Sequence, residues 1–355
     1  MRMKKISIST PVRYLINTFL TVLLWIILNT FISGAGLKGG YYSGIMIIIG
    51  INIILATSLN IVCGYLGQLP LGHAGFMAVG AYAGAVFMKS TPAAELLRAG
   101  QNIAVIPYLI IAVIISAVVA GLFGLLIGIP ALRLRGDYLA IITLGFGEII
   151  RVVLTNIDSV LGFKFTYGAS GLARIPKYTN FNVMFVFTTV CLFLIHVFMK
   201  SRHGRAVLSI RDNEIASESV GINTTFYKTA AFVFSAMLAG VAGCLYAGYL
   251  GSLYPSTFKF MKSIEILVMV VLGGMGSMLG SVISAIVLTA LPEILRAFSD
   301  YRMVVYSLAL VLMMLFRPKG LMGTYDFSMG NLLEKLLNKI GNKIRTGKPK
   351  REAKP

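Results

Sequence analysis

The chain has 355 residues, of which 57% are hydrophobic and 13% charged, and its mean hydropathy is +0.83. Soluble domains carry about 25% charged residues, so this chain has too few polar groups to cover a globular surface, and its composition excludes a soluble enzyme. The net charge of +19 is typical of basic clusters that flank membrane spans and contact anionic lipid, rather than of nucleic-acid binding.

Apolar runs of about 20 residues, the length that crosses a hydrocarbon core of about 30 Å, recur along the chain. The sequence therefore predicts an all-α polytopic membrane protein with about eight to ten transmembrane helices. The first run follows a basic N-terminal cluster, and we interpret it as an uncleaved anchor. Clear spans are predicted at 14–33, 43–63, 107–128, 138–155, 183–199 and 229–250, and less regular ones at 66–88, 264–291 and 303–316.

The distribution of charge predicts the orientation of these spans. Residues 1–94 contain no acidic residue, and residues 331–355 hold eight basic residues against two acidic ones. Because basic loops remain in the cytoplasm, we expect both termini there, together with the long charged connection at 200–228. The predicted division is a cytoplasmic tail at 1–13, a transmembrane domain at 14–323 and a basic cytoplasmic tail at 324–355.

The run 264–291 has an unusual length for a membrane element. Its 28 residues would make about 42 Å of helix, too long for one straight span and too short for two. Gly273, Gly274 and Gly276 lie near its middle. A break there would give two short helices or a re-entrant pair, which the membrane tolerates only against protein or a water-lined cavity. The alternative is a kinked helix whose glycines only permit close packing.

A second unusual segment, residues 64–76, is rich in glycine and contains two polar side chains, Gln68 and His73. Small residues permit close helix approach, and an intramembrane ionisable group is a functional candidate. The structural alternative is a packed histidine bonded to a backbone carbonyl. The predicted pathway or packing residues of the two segments are Gly64, Gly67, Gln68, Gly72, His73, Gly273, Gly274 and Gly276.

Four charged residues lie just before, or within, the predicted span at 138–155. Arg135 and Asp137 can pair at the end of this span. Glu148 lies some ten residues into it, and we expect it to pair internally, with Arg151 as the nearest candidate. We interpret these residues as structural charge pairs.

The connection at 203–223 is predicted to hold a short charged helix, with Gly204 at the bend before it and Gly221 as its stop. Between two spans, such a segment forms a compact protrusion that a cytoplasmic partner could contact. The residues predicted to act there are Gly204, Arg205, Arg211, Asp212, Glu214, Glu218 and Gly221.

Over residues 45–323 the chain resembles the LivM-type permease subunits of ATP-binding-cassette importers for branched-chain amino acids. Many members of that family have serine where this chain has Pro70. Six segments carry the resemblance, in order: GYLGQLPLGHAGF at 64–76, LRLRGDYLAIITLGFGEIIR at 132–151, HGRAVLSIRDNEIASESVGIN at 203–223, VVLGGMGSMLG at 270–280, LPEILR at 291–296 and FRPKGLMG at 316–323.

The resemblance implies a pore-forming permease subunit in a bacterial inner membrane. It also implies four partners: a second, LivH-like permease that completes a heterodimer, and two cytoplasmic ATPases, with an extracytoplasmic binding protein that delivers the solute. The loop at 203–223 would dock in a groove of the ATPase, where Asp212, Glu214 and Glu218 would meet donors. Arg205 and Arg211 would steady the loop.

Three alternatives remain open from the sequence. A permease of the same superfamily could carry a sugar, a nucleoside, urea or another amide, or another amino acid. A secondary transporter or channel would use Glu148 for ion coupling. An integral membrane enzyme is the third, but we predict no catalytic, cofactor or metal site.

The cysteines and the nearest phosphate-binding motif support that last expectation. Cys63, Cys191 and Cys244 have no short spacing typical of a metal site. The nearest approach to a Walker A loop, at 341–349, has five residues between its glycines and proline in the hydroxyl position. ATP hydrolysis is therefore assigned to partner subunits.

Overall fold

The computed structural model describes residues 10–34, 36, 39–134, 136–162, 166–298, 301, 304–305, 307–308, 311, 315 and 320–323. Apart from one isolated bridge between Leu172 and Leu253, these residues form no β-strand. Their α-helices are α1 (Thr10–Gly34), α2 (Gly39–Asn60), α3 (His73–Ser90), α4 (Ala93–Arg98), α5 (Asn102–Ala131), α6 (Asp137–Leu161), α7 (Phe181–Lys200), α8 (Arg202–Asp212), α9 (Glu214–Ser219), α10 (Thr224–Leu250), α11 (Phe260–Gly273) and α12 (Met278–Ile294).

Six helices of the described chain are long and apolar enough to cross a membrane, and α12 is a shorter apolar helix. The predicted all-α polytopic fold is thereby confirmed. The predicted span at 303–316 lies mostly outside the described residues. The chain divides into two compact units, one with residues 1–39 and 325–355, the other with residues 40–324. The six spans are Asn17–Gly34, Gly39–Tyr65, Ala104–Ala131, Asp137–Ser159, Phe181–Lys200 and Thr224–Leu250.

The prediction for 66–88 was wrong at its start. Helix α2 continues through a π-helical turn at Ile61–Tyr65, and residues 66–72 are not helical. Gly67 has a φ of +77°, a left-handed conformation that only glycine adopts readily. Helix α3 therefore begins at His73, seven residues later than predicted at 66.

The predicted break in 264–291 is confirmed, and a single kinked helix is excluded. Helix α11 ends at Gly273 and α12 begins at Met278. Between them, Gly274 and Gly276 have φ values of +106° and +88°. The two helices form a tight antiparallel hairpin, because Gly273 packs on the backbone of Gly280 and the hydroxyl of Ser284 donates to the carbonyl of Met269.

Glycines bring the backbones of α3 and α10 into direct contact. A Cβ on Gly80 would meet the backbone of Gly240, and a Cβ on Gly243 would meet the carbonyl of Met77, each closer than real Cβ atoms come. Helix α5 closes the same cluster, since Gly240 also packs on Ser116 of that helix. Without a water-driven hydrophobic effect between membrane helices, such close van der Waals packing stabilises their association.

We expect Gly80→Ala to destabilise the protein and Gly145→Ala to leave its stability equal or slightly higher. Alanine stabilises a helix by about 1 kcal/mol relative to glycine. At Gly80, however, the added methyl group would overpack the contact with Gly240, at a cost of about 1–3 kcal/mol. Gly145, in α6, has nothing within 4 Å of its Cβ position, so only the favourable effect acts there. Thermal unfolding of both detergent-solubilised variants measures the difference, and equal melting temperatures would contradict the packing.

Candidate functional site

The side chain of Asn60 binds the α12 end of the break between α11 and α12. Its Nδ2 donates to the carbonyl of Ser277 at 3.1 Å, and its Oδ1 accepts from the backbone N–H of Gly276 at 2.9 Å. Asn60 is fully buried. It thus pairs the backbone N–H of Gly276 and adds a donor to the Ser277 carbonyl, which also accepts from the backbone and hydroxyl of Ser281. Asn60 was not among the residues predicted from the sequence.

The end of α11 has a second set of partners, from a segment much later in the chain. The backbone N–H of Leu321 donates to the carbonyl of Leu272 at 2.8 Å, and that of Met322 to the carbonyl of Gly273 at 3.2 Å. Gly320 packs on Gly274 with a φ of +79°. Residues 320–323 therefore satisfy the terminal carbonyls of α11 where its helical bonds stop.

Arg211, at the end of α8, brings the charged loop to this break. Its Nη1 donates to the carbonyl of Gly64 at 3.2 Å, and its Nη2 lies 3.0 Å from Oδ1 of Asp212. A Cβ built on Gly276 would lie 3.4 Å from the same Nη1, and one on Gly67 would lie 3.0 Å from the Arg211 Cγ. The structure therefore brings together four of the residues singled out in the sequence, Gly64, Gly67, Gly276 and Arg211.

His73 is buried and packed within the helices. Its Nε2 lies 2.9 Å from the hydroxyl of Ser58, whose own carbonyl accepts a hydrogen bond from Ser235 at 2.6 Å. The partner is therefore a hydroxyl and not the backbone carbonyl of the structural alternative. Gly72 lies against the backbone of Thr143. Gln68 is half-buried, and its Oε1 has no hydrogen-bond partner among the described residues.

Glu148 bonds within the chain, at the start of α11. Its Oε2 accepts from Nε of Arg151 at 2.6 Å, and its Oε1 accepts from the backbone N–H of Phe260 at 3.1 Å. A carboxylate at a helix N-terminus is favourable, because it compensates both the unpaired N–H groups and the helix dipole. Asp137 similarly occupies the first turn of α6, whereas its predicted partner Arg135 lies outside the described residues.

The charged loop contains two helices where one was predicted. Gly204 lies inside α8 and not before it, and a Cβ there would meet the backbone of Met199. The predicted bend at Gly204 was wrong, because Ser201 caps the helix by accepting from the Gly204 N–H at 3.3 Å. At the other end, Gly221 has a φ of +84°, and Ile222 donates to the carbonyl of Ser217. This is the Schellman arrangement expected of a glycine stop.

The two acidic side chains of α9 bond inside the chain. Glu214 pairs with Lys228 at 2.6 Å, where the lysine side chain is 7% exposed, and Glu218 accepts from the hydroxyl of Thr224 at 2.6 Å. These contacts hold α9 against the start of α10. Two apolar residues, Ile215 and Val220, are instead 71% and 76% exposed. The exposed surface of α9 and the residue that follows it therefore includes two large apolar side chains, while its carboxylates bond within the chain.

Two further observations bear on chemistry at the site. Arg205 is exposed and donates only locally, to the carbonyl of Lys200 at 3.1 Å. Within the described residues, no group of three His, Cys, Asp or Glu side chains is arranged to hold a metal ion. The arrangement can transmit a displacement between loop and membrane helices, because a single arginine contacts both.

Comparisons with known proteins agree on one family. The family model described as branched-chain amino acid transport system / permease component matches residues 41–316. The LivM permease protein of the high-affinity branched-chain amino acid transport system of Salmonella typhimurium is 37% identical over 306 residues, 77% of this chain and 68% of the relative. That of Escherichia coli K12 is 36% identical over 314 residues, with the same coverage. The LivH permease protein of Escherichia coli K12 is 30% identical over 144 residues, 40% of this chain and 46% of the relative. No solved structure matches.

We expect Asn60→Leu to destabilise the break between α11 and α12. Leucine has a similar volume but leaves the buried Gly276 N–H unpaired, at about 1–3 kcal/mol, whereas the Ser277 carbonyl keeps its bonds from Ser281. The matched control is Asn156→Leu in α6, because Asn156 is exposed and bonds only the Val152 carbonyl of its own helix. Thermal unfolding of the solubilised variants measures the effect. An Asn60→Leu protein as stable as the control would contradict this role for the side chain.

Proposed function

The chain belongs to the family of branched-chain amino acid transport system permease components, and we propose that it forms, with a second permease, the membrane pathway for leucine, isoleucine and valine. The family match over residues 41–316 is the observation that carries the proposal. Its LivM relatives, named as high-affinity branched-chain amino acid permeases, support the substrate class. The similarity to LivH permeases supports a second permease of related sequence as the partner.

The proposed pathway is flanked by residues 64–76 and 270–280. Irregular backbone within a membrane protein is tolerated where it is covered by protein or lines a water-filled cavity. Both segments interrupt helices, and they meet where Gly64 approaches Gly276. A pathway for a zwitterionic amino acid needs such a polar, non-lipid surface inside the membrane domain, and the long regular helices do not provide one.

Separate cytoplasmic ATPases would supply the energy, with an extracytoplasmic binding protein delivering the solute. In this proposal both termini and the loop at 200–228 face the cytoplasm of a bacterial inner membrane, as the positive-inside rule predicts. Ile215 and Val220 would form the ATPase contact, since large exposed apolar side chains outside the spans favour an interface. Glu214 and Glu218 bond within the chain, and the expectation that they meet donors on the ATPase together with Asp212 stays a prediction.

The substrate is tested by reconstituting the chain in liposomes with the second permease, both ATPases and the binding protein. We expect ATP-dependent uptake of labelled leucine that excess isoleucine or valine suppresses, because all three present an aliphatic side chain on the same zwitterion. Ribose and urea serve as competitor controls, and liposomes without this chain give the background. Leucine uptake suppressed by ribose or urea, or none above background, would contradict the proposal.

The docking surface is tested by Ile215→Glu combined with Val220→Glu. We expect the ATPase subunits no longer to co-purify with the permease, because interface anchors each contribute more than about 1 kcal/mol and a buried unpaired charge adds a further cost. The conservative pair Ile215→Leu with Val220→Ile is the control and should retain the ATPases. Undiminished co-purification of the glutamate variant would show that α9 is not the contact.

A further inference from the structure

Arg211 donates both to the carbonyl of Gly64, at the end of a membrane helix, and to the carboxylate of Asp212 in the loop. Among the described residues of the loop, no other side chain makes both kinds of contact. We propose that Arg211 is the positioning residue through which displacement of the α8–α9 loop reaches the break between α11 and α12, by means of its forked guanidinium. This inference rests on the proposed function, since it concerns how ATPase motion would reach the pathway.

The guanidinium has two occupied sides. Nη1 donates to the carbonyl of Gly64 at 3.2 Å, while Nη2 and Nε lie 3.0 and 3.2 Å from Oδ1 of Asp212. The side chain is 34% exposed, so solvent only partly screens these contacts. A planar fork of fixed geometry holds both partners at once, which the single ammonium of lysine cannot do in the same way.

On the membrane side, Arg211 occupies the end of the π-helical turn of α2. The neighbouring carbonyls of Ile61 and Val62 accept from the backbone of Leu66 and Gln68, whereas the carbonyl of Gly64 accepts from Arg211. A cation at a helix C-terminus stabilises both the terminal carbonyls and the helix dipole. The arginine thereby fixes where α2 ends.

The same helix end contacts the break. Gly276 donates its N–H to Asn60, which lies one turn before Gly64, and a Cβ on Gly276 would lie 3.3 Å from the Gly64 carbonyl. Only glycine leaves room at these positions for the guanidinium and the second backbone. A shift of Arg211 consequently displaces the end of α2 and the break together.

On the loop side, α8 is embedded and α9 is presented outward. Val207 and Ile210 of α8 are buried in the core, so α8 moves as a body and not by local fraying. Asn213 joins the two helices, and its side chain accepts from the Ala216 N–H at 3.0 Å to cap α9. A force on the exposed residues of α9 therefore passes through this short joint to Arg211. Only contacts that differ between two states can shift the balance between them.

The test measures the amount of leucine transported per ATP hydrolysed, together with ATPase co-purification. The variants are Arg211→Gln and Arg211→Lys, and the matched control is Arg202→Gln, which removes another exposed arginine of the same helix. We expect both Arg211 variants to retain the ATPases and to lower the transport ratio by about tenfold, within the 5- to 150-fold range of typical coupling effects. The control should keep the wild-type ratio.

Two results would overturn the proposal. One is a wild-type transport ratio in Arg211→Lys or Arg211→Gln. The other is loss of ATPase co-purification in proportion to loss of uptake, which would make Arg211 a docking residue. If Arg211→Gln is not recovered from the membrane, Arg211→Lys, which keeps the charge, decides alone. Wild-type protein that fails to transport leucine would instead refute the proposed function, so the two failures are distinguishable.

Discussion

Every backbone N–H and C=O group inside a membrane must find its partner within the protein, because lipid provides none. Most of this chain meets that constraint with unbroken helices. Two exceptions are residues 66–72 and the interval between α11 and α12, and several contacts of the surrounding structure converge on that interval. Asn60 binds Gly276 and Ser277 at the α12 end of the interval, and Leu321 and Met322 bind the last carbonyls of α11. The positions of Asn60 and of residues 320–323 both follow from this requirement.

The break also explains why the loop helices are fixed as they are. If α8 frayed locally, Arg211 could not hold the end of α2 beside the break. The burial of Val207 and Ile210 and the Glu214–Lys228 pair give both short helices a defined position. The domain therefore combines a rigid glycine-packed core with one irregular interval, and the loop helices are anchored beside that interval.

The spans and the break could be predicted because their signals are local. The length of an apolar run can be read directly from the sequence. The largely apolar run of 28 residues at 264–291, with glycines near its middle, has a length that fits neither one span nor two. The role of Asn60 could not be predicted in this way, since its partner Gly276 lies 216 residues away. An asparagine within an otherwise apolar helix was nevertheless a usable signal, because a buried amide must find partners. The pairing of Glu214 with Lys228 could not be predicted for a related reason. Charged residues in a loop are expected to be solvated unless the fold places an opposite charge beside them.

The glycine contact between α3 and α10 has a consequence for how the chain is made. Helices α5, α6 and α7 are synthesised after α3 and before α10, at about 5–20 residues per second for a ribosome. For on the order of ten seconds, then, the glycine face of α3 lacks the α10 backbone against which it packs. Until α10 arrives there is no backbone to fill that groove. The nascent chain therefore passes through a stage in which the glycine contact between α3 and α10 is not yet formed. The membrane proteases that remove misfolded chains would have to spare this intermediate.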